Sequence, residues 1–166
     1  MAKYLENNGG QIREVQPVTT SAGAGDATKL AQLDATGKWD ITLMPSGIGV
    51  PTVALTASET LAAGDLVNIW NNSGTANVRK ADCSNGRRAH GYVLSGASSS
   101  TTATVYVQDN LTGLSGLTPG AAYYLSTTGA ISATAPSTSG QISQEIGTAV
   151  STTVISFIPK QPITLV

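Results

Sequence analysis

The chain has 166 residues, nine Lys and Arg against ten Asp and Glu, a net charge of −1, and 11% charged residues, where ~25% is usual for soluble domains. This balance leaves no electrostatic footprint for nucleic acid or an anionic membrane. No apolar run reaches the ~20 residues of a membrane helix, and one cysteine, Cys83, excludes a scaffold built on intrachain disulfides.

Ser and Thr supply 39 of the 166 residues in place of charge. The charges thin out along the chain: nine in residues 1–50, seven in 51–90 and three in 91–166. The opening, MAKYLENNGG, has no apolar h-region, so synthesis in the cytoplasm is expected. The length suits one domain, or one domain with an arm.

Residues 1–20 alternate weakly around an Asn8-Gly9-Gly10 turn signal, which predicts an extended arm with a short strand or hairpin. Residues 21–51 hold neither period for long. A helical turn is predicted over 27–33 with Asp26 as N-cap, and Pro45, Gly47, Gly49 and Pro51 should break any continuation. Leu30, Leu33, Trp39, Ile41, Leu43 and Met44 are expected to be buried against something. From residue 52 the pattern becomes β. Strands are predicted at 52–57, 66–70 and 76–81, the last two joined by a hairpin loop at 71–75. A pair at 90–95 and 102–108 follows, then one at 123–126 and 130–134, then long strands at 141–150 and 153–158. Short strands punctuated by turns predict an all-β fold, a small barrel or sandwich, with residues 1–51 as arm and linker and 52–166 as the β-domain.

Little in this chain supports reaction chemistry. His90 is the single histidine and no G-x-S-x-G surrounds any serine, so a nucleophile triad has no base in a recognisable setting. Cys83 lies in a loop-like string without a second cysteine, and most of the carboxylates fall at turns, where Asp caps its own backbone. GAGD at 23–26 lacks the second half of a phosphate loop. Trp39, Trp70, Tyr92, Tyr106, Tyr123 and Tyr124 could form a sugar-stacking platform but read better as core and rim packing. The chain is therefore expected to be no enzyme, with no cofactor and no metal. Arg79-Lys80 and Arg87-Arg88 either lie on a solvated loop or contact an acidic partner surface.

Several strings together resemble the head decoration, or cement, proteins of tailed bacteriophages: SAGAGDATKL (21–30), LDATGK (33–38), LMPSGIG (43–49), AAGDLVN (62–68), AHGYV (89–93), LTPGAAYYLS (117–126), QEIGTA (144–149) and PITLV (162–166). They span most of the chain. The resemblance implies a β-tulip domain with an extended N-terminal arm, located on the outer capsid surface of the virion. Its partners would be the major capsid protein and itself, as a homotrimer or a dimer, with no nucleic acid and no membrane. Capsid contact is then expected through Lys3, Tyr4, Glu6, Ile12, Arg13 and Glu14 of the arm and through Arg87 and Arg88. Related strings occur in phage tail-fibre proteins, so a tail-fibre or receptor-binding module is the alternative.

Overall fold

The computed structural model describes residues 3–44 and 48–166. Contacts divide the chain into two units, Met1–Gly49 and Val50–Val166.

The first unit opens on a hairpin of β1 (Tyr4–Asn8) and β2 (Gln11–Val15), in register from Tyr4↔Val15 to Asn8↔Gln11. Gly9 and Gly10 sit at φ +62° and +87°, the two consecutive positive angles that a type I′ turn demands and that glycine supplies without strain. Beyond it, a bridge joins Val18 to Ala31, and single 3-10 turns form at Ala24–Asp26 and Ile41–Leu43. The helical turn expected over 27–33 is thus displaced: Asp26 ends a turn rather than starting one. Its carboxylate reaches back to accept the Ala22 N–H at 2.7 Å and pairs with Lys29 at 2.7 Å, which closes the loop before a helix can start. Pro45 and Gly47 lie outside the described residues.

The expected burial in this unit also fails. No described residue of it is buried; Leu30, Leu33, Trp39, Ile41 and Met44 are all exposed and Leu43 is half-buried. The reason is geometric. A segment of this length, built from one hairpin and loops, has no second layer to close over its apolar side chains.

The second unit carries two cores. Strands β3 (Thr52–Ala57), β4 (Leu66–Asn72), β5 (Thr75–Lys80), β6 (Gly91–Tyr92) and β7 (Thr102–Tyr106) close a barrel in the order β3-β5-β4-β6-β7. Closure depends on β3, which runs antiparallel to β7 and whose end runs parallel to the middle of β5 through Thr56↔Asn77 and Ala57↔Val78. The narrow interior is filled by Ala57, Leu61, Val67, Val78, Val93, Ala103 and Val105. Asp109, at φ +88°, turns the chain out of the barrel into β8 (Asp109–Leu111). A second sheet then runs β10-β9-β12-β13-β8, with β9 at Ala122–Leu125, β10 at Ile131–Ser132, β12 at Glu145–Ala149 and β13 at Ile155–Phe157. Its core joins Leu111, Leu125, Ile146, Ile155 and Phe157 to Leu66 and Tyr92 of the barrel wall. Tyr92 stacks on Tyr106 at 5.4 Å and meets Phe157 edge-on at 5.1 Å.

The all-β reading holds, and so do the 66–70/76–81 hairpin, the pairing of β6 with β7 and that of β9 with β10. The strand expected over 141–150 is broken into β11 (Ile142–Ser143) and β12, and β11 pairs instead with β14 (Ile163–Thr164). Gln144 makes the break. Its buried amide accepts from Ala89 N at 2.8 Å and donates to Ala89 O at 3.1 Å and Lys160 O at 3.0 Å, which ties three chain segments together.

Where β12 bulges against β9, Gly147 lies at φ +150°, and a Cβ there would overlap the Ser156 carbonyl oxygen of β13. Gly147→Ala is therefore expected to cost about 3 kcal/mol or more, read as a lower urea midpoint by circular dichroism. An unchanged midpoint would mean that β12 and β13 do not pair in this register.

Candidate functional site

Among the described residues, no three His, Cys, Asp or Glu side chains converge as metal ligands would. Cys83 is buried at the start of a 3-10 turn, and burial, then the Asp82 charge, pushes its thiol pKa up, away from a reactive thiolate. The aspartates serve turns. Asp34 accepts from Thr36 N and Lys38 N, Asp40 from Thr42 N, and Asp82 from Ser84 N. Tyr92 and Tyr123 lie in the core, and burial first, then Asp109 and Tyr106, takes the Tyr92 hydroxyl to about 12. No helix among the described residues is long and apolar enough to cross a membrane.

The expected contact residues fall in two places, one in each unit. In the hairpin, Lys3 pairs with Glu14 at 2.9 Å and Arg13 with Glu6 at 3.0 Å, so its charges answer one another across the strands. Tyr4 accepts the Leu30 N–H at 3.3 Å on its hydroxyl. Residues directly opposite share a face, which puts Leu5 and Ile12 diagonally together on one side, 74% and 73% exposed. The hairpin therefore presents an apolar pair on the face that carries the neutralised Lys3–Glu14 pair, with Glu6–Arg13 on the opposite face.

In the second unit Arg87 and Arg88 join a third arginine, Arg79, around two polar organisers. Asn68 faces Arg79 across the β4–β5 ladder, accepts from its Nε at 3.1 Å and donates to Arg88 O at 2.9 Å. Arg79 lies over the Trp70 ring at 4.5 Å. Burial first, then the Arg87 charge, lowers the Arg79 pKa, with Glu59 opposing. His90 receives the Ile69 N–H at Nδ1 (3.0 Å) and the Arg88 Nε–H at Nε2 (2.8 Å). A neutral imidazole has one acceptor nitrogen, so the ring holds one of these donors at a time. The Ile69 N–H is fixed by β4, while Arg88 is exposed, so it is the donor the ring can give up. Beside Arg88 opens a groove of about 220 Å³ lined by His90, Gln144, Pro159, Lys160 and Pro162.

Asn68, Gln144 and His90 position this surface. The one signal in the sequence for them was a polar residue inside an apolar strand, as Asn68 is in LVNIW. The partners of Gln144 lie far along the chain, and no local pattern reveals them.

No family model and no curated protein sequence matches the chain. The chain is similar to the head fiber gp8.5 N base of bacteriophage phi29, at a TM-score of 0.45 and 10% identity, over 66% of this chain and 95% of that one. A likeness of that degree carries no argument about function.

Protonating His90 would set an N–H against both donors. Burial, then the Arg88 charge, accordingly lowers its pKa from the ordinary 6.5. The unfolded chain takes up this proton as pH falls through about 6.5, the folded chain only at lower pH. Stability should therefore decline as pH falls below that value and level off under the folded pKa. His90→Asn, which offers an oxygen to Ile69 N–H and does not titrate, should remove the decline above the carboxylate range. Urea unfolding across pH checks this; an identical slope in the variant would assign the decline to other groups.

Proposed function

We propose that the chain is a non-enzymatic structural protein of a tailed-phage virion that binds the outer surface of the head and reinforces the junctions between capsomers of the major capsid protein. The observation that carries this is the contrast between the units. The second unit buries most of its apolar side chains in two cores, with Val53, Val150, Ile158 and Ile163 left exposed at its surface. The first leaves Leu5, Ile12, Leu30, Trp39, Ile41 and Ile48 each close to half exposed or more, and none of its described residues is buried. Exposed apolar side chains at this density mark a surface that is covered in the working state. An extended, two-stranded segment is suited to docking on a neighbour's exposed strand edge or groove. The family resemblance of the sequence supplies the neighbour, the capsid.

Packed DNA pushes outward, so a shell fails first at its seams. A clip with a rigid barrel domain and a docking arm engages several subunits and gains avidity from modest contacts. Because it binds the assembled lattice and not the dissociated subunits, it stabilises that lattice by mass action, about 2.7 kcal/mol per site at a hundredfold excess over Kd. A homotrimer suits the threefold junctions of such a lattice, and residues 91–166, with three charges in all, offer a surface that buries against a copy without stranding ions.

Heads stripped of the protein should keep their DNA at rest and release it at a lower temperature on a ramp, and adding the protein back should restore the original release temperature. The chain lacking residues 1–20 should restore less at equal concentration, while its second unit keeps its cooperative unfolding transition by circular dichroism. Equal release temperatures with and without the protein, together with lost adsorption of the phage to cells, would overturn the reading in favour of a tail-fibre or receptor-binding module.

A further inference from the structure

About half of the charged side chains of this chain are joined in ion pairs. Of nine Lys and Arg, Lys3, Arg13, Lys29, Lys80 and Lys160 are ion-paired. Among the described residues the four without an ion pair are Lys38 and the cluster Arg79, Arg87 and Arg88. Asn68 holds the Arg79 guanidinium and the Arg88 backbone, His90 holds the Arg88 side chain, and the Arg87 charge acts on Arg79; the carboxylates nearest them are occupied elsewhere. Glu59 accepts from Lys80 N at 2.9 Å. Asp82 accepts from Ser84 N and Oγ on one oxygen and from Thr128 N on the other. Burial alone would raise the Asp82 pKa, but those hydrogen bonds and the Arg87 field outweigh it and hold the carboxyl below its usual range. It stays charged, yet its oxygens point at backbone and hydroxyl donors.

We propose that Arg79, Arg87 and Arg88 form a receptor for carboxylate side chains of an acidic protein segment. Guanidinium forks match carboxylates in two-point hydrogen bonds. Arg79 is already oriented by Trp70 and Asn68, so little freedom is lost on binding. Arg88, which shares His90 with a backbone donor, turns from the ring to the incoming anion. The adjoining groove, where Lys160 is neutralised by Glu145 at 2.8 Å, admits the side chain that follows. A protein rather than a nucleic acid is favoured because the cluster is three charges wide on a chain of net charge −1, whereas a phosphate backbone is followed by an extended basic track. That the segment belongs to a capsid protein rests on the reading above; the receptor itself does not.

The test titrates an oligoglutamate peptide into the full-length protein at low salt and follows the arginine Nε–H and Trp70 indole N–H resonances. Shifts confined to Arg79, Arg87, Arg88 and Trp70 are expected. Arg87→Gln with Arg88→Gln should weaken binding at least about tenfold, while Lys38→Gln leaves it unchanged. Absent shifts, or equal affinity in the double variant with its β signal intact, would overturn the receptor. Tighter binding of single-stranded DNA at the same arginines would overturn the carboxylate assignment. If the peptide binds as expected but the double variant rebinds stripped heads as well as the original protein, the receptor stands and its link to the capsid falls.

Discussion

The alternation of side chains at two short strand positions holds the second unit together. Leu66 and Tyr92 point outward into the core beneath the second sheet, while their neighbours Val67 and Val93 point inward to fill the barrel. A strand repeats every two residues, so adjacent side chains serve opposite faces without any change in backbone course. Both layers are therefore fastened to the same few residues, and neither can slip register without emptying the other. The run LVNIW is apolar on both faces for this reason, and its one interruption, Asn68, is where the polar surface organises itself.

Charge is used sparingly and deliberately across the molecule. Where lysines and arginines occur in the hairpin and at the turns, each has a carboxylate within ion-pair distance, apart from Lys38. Exposed pairs of that kind add little stability, but they remove net charge from the surface around Leu5 and Ile12. The apolar pair is thereby left as the feature a partner would meet. The arginine cluster follows the opposite rule, with local charge left over on a chain that neutralises it elsewhere.

How much of this could be read from residue order follows the range of the interactions concerned. Local devices were legible: Asn8-Gly9-Gly10 as a turn signal for a short strand or hairpin, Asn71 to Thr75 as the turn between two strands, and Asp34, Asp40 and Asp82 as backbone caps. Long-range ones were not. Nothing near Ile142 announces that it pairs with Thr164, and Gln144 looks like an ordinary strand residue until Ala89 lies across from it. The apolar residues at 30–44 misled for a related reason. Apolarity shows that a side chain has a use for a dry neighbour, but it does not say that the neighbour belongs to the same chain. Arg87 and Arg88 were visible as a basic pair, whereas their joining with Arg79 required the β4–β5 register.

Closing the barrel through β3 also makes completion of the barrel depend on pairings distant in sequence. β3 has no sequence neighbour to pair with; it waits for the middle of β5 on one side and all of β7 on the other. The chain between those partners must be gathered before the final seam forms, and the entropy of that gathering is lost before any contact repays it. A ribosome-bound chain whose β7 has not yet emerged therefore carries a barrel with an open flank, and its unpaired strand edges must be kept from meeting those of other nascent chains.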